Sequence, residues 1–543
     1  MNPLKSLLGQ TAIYGLPTIV GRLLNYFLVP LYTGVFAHTS DYGIISELYA
    51  WVAFLIVLLT FGMETAFFKY LNERDDKDTV FRNSFLTVLG INVLFFLLLL
   101  IFSSSIASSM GYPNNTEFIL ILGFVVCIDA ITAIPMAKLR ANNQARRFAT
   151  IHFSAIAVNI LLNLFFMLVL FNPDEPMTGI LYILIANLLS SSVKVVGTYK
   201  DFLGLKFTVN WELAKSMSKY ALPLVVAGFA GIANETLDRV MMKPLLVSTG
   251  KTTDEALSEV GIYSAVYKLA MIVTIFLQAY RYAAEPFFFS QNKNKDRNKL
   301  YSKIMNYFIA AVCLVFLGVA LNIDIFKHFI RNSDYWVGLG VVPILLVANV
   351  FLGIYYNQSI WYKLSGQTRF GAYIAIGGAA ITVLINVIFI PIYGYWASAW
   401  ATLIVYGLQM IASYVLGQKY YPIKYNLRKF GLYFGLALVL FFVAKWMNIG
   451  AIPTEINGTP DGTEMVAEST ESSTIYVSDL LPYSNAEVQN NTQDEVLELD
   501  TLFNQSKIFS WTKFFVHNSL ILFYVFVVWF IEKPTRPKQV AVA

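Results

Sequence analysis

Long apolar runs separated by short polar connections dominate the chain. A bilayer core takes about 20 residues of helix. Runs of that length fall near 10–36, 42–70, 84–107, 118–138, 149–171, 178–199 and 219–246, then 260–288, 303–323, 336–362, 370–390, 393–416, 430–448 and 508–531. Fourteen spans are therefore predicted, and the fold class is an all-α polytopic membrane protein. The opening Met1-Asn-Pro-Leu-Lys5 leads into a run containing Arg22 without a small-residue cleavage site, so no removable signal peptide is expected.

Charge gives the spans an orientation. Lys69, Arg74, Lys138, Arg140, Arg146, Lys200, Lys206, Lys293, Arg297, Lys363, Lys419 and Arg428 all fall in alternate connections. These connections hold most of the 39 Lys and Arg. The opposite set has few, among them Lys243, Lys251, Lys327 and Arg331. By the positive-inside rule both termini are expected in the cytoplasm. One outer connection differs from the rest. Residues 450–506 contain eleven acids and no Lys or Arg, and read as a polar acidic loop.

Composition removes other classes. Only 13% of residues are charged and 57% are hydrophobic, against about 25% charged in soluble domains. A soluble enzyme and a nucleic-acid binder are excluded. Cys127 and Cys313 lie in apolar runs and imply no disulfide framework. The 32 tyrosines and 43 phenylalanines read first as interfacial belts and lipid-facing packing.

The chain also repeats itself. Tyr14-Gly-Leu-Pro17 resembles Tyr220-Ala-Leu-Pro223, and Gly43-Ile-Ile-Ser46 resembles Gly261-Ile-Tyr-Ser264. Gln144 and Asn163 match Gln367 and Asn386. The offsets grow from 206 to 218 to 223, as loop insertions would make them do. A six-span repeat keeps its halves in parallel orientation, related by an axis along the membrane normal around a central cavity. The predicted divisions are a first six-helix bundle at 1–218, a second at 219–418, and two C-terminal helices at 419–543 that enclose the acidic loop.

Ionisable residues inside spans cost roughly 2.5–3.5 kcal/mol on insertion scales, so each needs a partner or a wet cavity. Glu235 and Arg239 are spaced i,i+4 and can pair within one helix, and Arg281 and Glu285 repeat the spacing with signs reversed. Arg22 and Lys268 have no partner at helical spacing and are the better cationic lining. Lys194 can snorkel to the cytoplasm. Glu64 and Glu47 can be solvated at the interfaces, and Asp129 has no local partner. Most of these charges belong to spans 1, 2, 7 and 8, so a cavity lined by those four helices is expected. Candidate substrate contacts are Arg22, Asn25, Arg239, Lys268 and Arg281. Candidate ion-coupling acids are Glu64, Asp129, Glu235, Asp238 and Glu285. No P-loop, metal-ligand spacing or nucleophile elbow occurs, so neither a catalytic residue nor a metal site is expected.

Gly21-Arg-Leu-Leu-Asn25, Pro30-Leu-Tyr32, Asp41-Tyr-Gly43, Asp238-Arg239, Tyr355-Tyr-Asn357 and Lys363-Leu-Ser-Gly366 resemble bacterial polysaccharide flippases of the O-antigen type. These belong to the multidrug/oligosaccharidyl-lipid/polysaccharide (MOP) exporter superfamily. The resemblance covers spans 1–12, and the long acidic loop departs from it. It implies transfer of an undecaprenyl-pyrophosphate-linked oligosaccharide between leaflets of the bacterial inner membrane, with spans 13 and 14 forming a groove for the lipid tail. It also implies that Arg22, with Arg239, Lys268 or Arg281, meets the pyrophosphate. Asp129 or Glu64 would then bind a coupling proton or sodium ion, the one cofactor expected. Membrane lipids, a polysaccharide polymerase and chain-length machinery are the implied partners. Two other readings compete: a cation-coupled drug exporter of the same fold, and a membrane glycan polymerase or glycosyltransferase that uses the acidic loop.

Overall fold

A computed structural model of the chain describes residues 20–446 and 513–533, apart from 22, 25, 204 and 292–294. The side chains of 282, 283, 285, 286 and 290 are also outside the description. Arg22, Asn25, the Glu285 side chain and the acidic loop at 450–506 thus lie outside the described residues. Among those described, the chain is helical and has no strand.

The first-half helices are α1 (Leu28–Val35), α2 (Thr39–Thr60), α3 (Met63–Glu73), α4 (Lys77–Ser109), α5 (Thr116–Ala141), α6 (Ala145–Phe165) and α7 (Pro176–Thr198). The second half has α8 (Trp211–Val247), α9 (Thr253–Gln291), α10 (Arg297–Leu321), α11 (Val342–Gln358), α12 (Arg369–Tyr393) and α13 (Tyr395–Tyr420). Then come α14 (Leu427–Trp446) and α15 (Lys513–Glu532). Thirteen helical stretches among the described residues are long and apolar enough to cross a membrane. They coincide with predicted spans 2–14, so the protein is a multi-pass membrane protein.

Two compact units divide the chain, Met1–Leu438 and Val439–Ala543. Within the larger unit the packing repeats with a six-span offset. In the first half α4 packs on α5, and both α5 and α6 pack on α7; in the second, α10 packs on α11, and both α11 and α12 pack on α13. The halves meet chiefly where α2 lies against α9 and α8.

Span 2 is not one straight helix. It breaks between α2 and α3 at Phe61 and Gly62, both left-handed, with φ of 51° and 60°. Glycine takes that conformation without penalty, whereas phenylalanine does so rarely. A main-chain carbonyl freed at such a break needs a donor inside a membrane. Asn92 Nδ2 of α4 supplies it, reaching Leu59 O at 3.1 Å. A core of Leu59, Met63, Phe67, Phe81, Met217 and Ala221 surrounds the break and ties α3, α4 and α8 together.

Helix starts follow ordinary capping chemistry. Asp41 of the Asp41-Tyr-Gly43 motif accepts from His38 N at 3.3 Å and closes a capping box on α2. Asp76 accepts from Thr79 N at 3.0 Å at the start of α4, and bonding to Thr79 holds its carboxyl below the usual range.

Candidate functional site

Helix directions bring Lys69, Lys138, Arg140, Arg297 and Lys363 to one end of the larger unit, the basic end. At the far end, α2 and α9 cross in close contact. A Cβ on Gly43 would overlap the main-chain oxygen of Leu257, and one on Gly261 would overlap that of Thr39. The contact is reciprocal, as expected of repeat-related residues: Gly43 matches Gly261 at the same offset that relates Thr39 to Leu257. Thr39 Oγ1 and Ser258 Oγ hydrogen-bond across the same crossing.

Beside this crossing lies a buried ion pair between halves. Lys243 Nζ of α8 donates to Glu47 Oε2 of α2 at 2.9 Å, and the side chains are only 8% and 5% exposed. Tyr112 OH donates to the same carboxylate oxygen, and Lys243 also donates to Met110 O. Glu47 is therefore not an interfacial acid solvated by water, as its sequence position suggests. It holds a cation from the other half.

Deeper between the halves is a cavity of about 360 Å³. Its walls come from α1, α2, α8 and α9, the helices the charge pattern singled out, with Asn159 of α6 and Asn187 of α7 added. The two walls differ in chemistry. The first half contributes neutral groups, including Tyr32, Tyr42, Tyr49, Asn159 and Asn187. The second half contributes Glu235, Arg239 and Lys268. Tyr32 OH is fixed by Asn163 Oδ1 at 2.8 Å, and Asn187 Nδ2 donates to Tyr49 OH. Arg239 sits 4.4 Å from the Tyr267 ring centroid and 5.3 Å from that of Tyr263, stacking that is attractive for a desolvated guanidinium.

The structure revises the expected partners. Arg239 does not pair with the Glu235 carboxylate at i,i+4. Its Nη1 lies 3.2 Å from Asp238 Oδ1 and donates to Glu235 main-chain oxygen at 2.9 Å. Asp238 is turned into the protein, where Tyr263 OH donates to it at 2.7 Å. No carboxylate among the described residues lies within ion-pair distance of Lys268.

Three other candidates lie away from this cavity. Asp129 of α5 accepts from Lys194 of α7 at 2.8 Å, so Lys194 has a partner in the span and does not need to snorkel. Glu64 of α3 pairs with Arg140 of α5 at the basic end. Arg281 lies over the Tyr356 ring at 4.3 Å, in a separate small cleft with Lys363. The neutral wall was missed. Tyr32 and Tyr42 fall in motifs, and Ser46 and Asn163 in repeat matches, but none of these signals pointed to a cavity wall. Asn187 and Tyr49 are polar residues inside spans, and intramembrane amides seek partners or cavities.

A sequence profile of the polysaccharide biosynthesis protein family matches residues 7–291. The chain belongs to that family. The match takes in spans 1–8, and with them all four helices that form most of the cavity. A relative in Bacillus subtilis (strain 168), described as the uncharacterized membrane protein YabM, is 22% identical over 417 residues, covering 71% of this chain and 75% of that one. Among solved structures, the lipid II flippase MurJ in an inward closed conformation superposes with a TM-score of 0.65 at 15% identity, over 81% of this chain and 93% of that one. An inward-facing multidrug resistance MATE family transporter of the MOP superfamily gives a TM-score of 0.58 at 16% identity, over 75% and 97%. At these identities the likeness concerns the fold. The family member described here has the fold of the MOP transporters.

Proposed function

We propose that the protein is a flippase for a lipid-linked oligosaccharide. It would carry an undecaprenyl-pyrophosphate-linked glycan from the cytoplasmic to the outer leaflet of a bacterial inner membrane by alternating access. The supporting observation is the cavity between the halves, in which Arg239 and Lys268, the latter without an ion pair among the described residues, face neutral tyrosines and asparagines. Guanidinium and ammonium groups suit a pyrophosphate, and phenols and amides suit sugar hydroxyls. The family name and the shared fold with a lipid II flippase point the same way. In this reading the basic end and both termini face the cytoplasm, and the chain makes and breaks no covalent bond.

In this reading the coupling ion, a proton or sodium ion, enters as the anion leaves, and Glu235 is the carboxylate on the cavity wall placed to carry it. The membrane potential adds to the drive. Each negative charge leaving a negative cytoplasm gains about 2.3 kcal/mol per 100 mV.

Loss of the protein should leave lipid-linked glycan in the cytoplasmic leaflet, detected by leaflet-specific labelling and mass analysis of the extracted lipid. An unchanged leaflet distribution contradicts the proposal. The Glu235 carboxylate on the wall favours a second reading, a cation-coupled drug exporter. That reading predicts raised drug susceptibility in the same strain with no lipid accumulation.

A further inference from the structure

We infer that the second half carries a binding site for an anionic phospholipid at its basic end, separate from the central cavity. The site is a pocket of about 190 Å³ between α10, α11, α13 and the start of α14. Met305, Ile309, Ile354 and Met410 make its deep part mainly apolar, with the Asn306 amide beside Met305. Helix directions place these side chains further into the membrane than Gln358 and Asn426, which stand at the end of α11 and just before α14. The pocket is thus amphipathic along the membrane normal, polar toward the basic end and apolar below it, as a phospholipid is.

Three further observations identify the occupant. Ile411 and Leu427 on the lining are 54% and 53% exposed, so the mouth opens sideways on a surface that faces acyl chains. Lys424 and Arg428, both exposed, lie within a turn of the lining residues Tyr425, Asn426 and Leu427. Basic residues bordering a pocket between membrane helices attract anionic headgroups. Gln358 is only 6% exposed, yet its Oε1 has no hydrogen-bond donor among the described residues. A buried acceptor left unmet is costly, and a headgroup hydroxyl would meet it. A phospholipid with a negative phosphate and a hydroxylated headgroup, such as phosphatidylglycerol, satisfies all three: its chain fills the apolar floor, its phosphate meets Lys424 and Arg428, and its hydroxyl donates to Gln358.

The test uses the full chain purified in neutral detergent and titrated with phosphatidylglycerol, phosphatidylcholine or soluble glycerol phosphate, read by thermal unfolding and native mass spectrometry. Phosphatidylglycerol should raise the unfolding temperature and stay bound, while the other two should not. Lys424→Gln with Arg428→Gln should weaken its binding about tenfold or more, at the usual strength of two basic residues against anionic lipid. Ile354→Trp should fill the floor and abolish retention. Gln358→Leu, which keeps the volume, should leave the protein folded and remove the preference for phosphatidylglycerol over phosphatidylmethanol, a singly charged phosphodiester without a headgroup hydroxyl. Equal stabilisation by phosphatidylcholine overturns the inference. So does a phosphatidylglycerol response unchanged in the double variant and in Gln358→Leu, even if Ile354→Trp fails to fold. Stabilisation by glycerol phosphate alone would show a free-anion site instead, and also overturns it.

Discussion

The far-end seam and the central cavity are built from the same helices, yet they treat charge in opposite ways. Lys243 and Arg239 stand one turn apart on α8. Lys243 is buried against Glu47 of the other half, with Tyr112 and Met110 completing its shell. Arg239 keeps its guanidinium on the cavity wall, steadied by Asp238 and two tyrosine rings, and Lys268 nearby on α9 has no ion pair among the described residues. A charge inside a span therefore does not by itself mark a binding site. At the seam the partner is another residue of the protein, and the charge fastens two halves. In the cavity, under the proposed function, the charges face the substrate anion instead.

The crossing of α2 and α9 is the first place to break this contrast. Gly43→Val should have the largest effect on transport, because the added Cβ meets main-chain oxygen that no rotamer change can move. Overpacking of this kind costs about 1–3 kcal/mol or more, and the halves can relieve it only by separating. A cysteine at Ser258 should become labelled by a far-side thiol reagent, and transport should fail. Unchanged labelling would show that the crossing is not a seal.

Lys243→Met comes next. It leaves Glu47 buried without its cation, a loss of about 3–5 kcal/mol, seen as a large drop in unfolding temperature. Lys243→Met combined with Glu47→Gln should recover much of that stability, since it removes both charges. If the double variant is no more stable than the single one, the pair is not the source of the effect.

Lys268→Gln should do the reverse. Its stability should stay close to that of the parent, because no ion pair is lost. Transfer of the lipid-linked substrate should fall roughly 10- to 100-fold, the value of one charge-assisted hydrogen bond. The smallest effect belongs to Glu64→Gln. Its side chain is 41% exposed and that of its partner Arg140 is 31% exposed, so stability should change by less than about 1 kcal/mol. Transport should be retained, because Glu64 lies away from the cavity.

Much of the architecture is legible in the sequence because a span announces itself by length and hydropathy alone. The helices lining the cavity are legible too, since charge inside a span is rare enough to be conspicuous. Partners are not. Helical spacing reports only on residues of one helix, whereas Glu47–Lys243, Asp129–Lys194 and Glu64–Arg140 all join different spans. Those pairs depend on how each helix is rotated about its axis, which packing decides. Even within α8 the spacing misleads, because Arg239 turns to the adjacent Asp238 and takes only the main chain of Glu235. The break at Phe61 and Gly62 left one faint signal, a glycine late in a long apolar run.

The central claim is that the cavity charges serve a pyrophosphate-linked substrate while the seam charges hold the halves together. The most direct measurement is transfer of undecaprenyl-pyrophosphate-linked glycan across proteoliposomes containing the full chain, comparing the parent with Lys268→Gln at equal protein content and unfolding temperature. The parent should transfer the substrate, and the variant should lose at least about tenfold in rate. Equal transfer by the two proteins would contradict it.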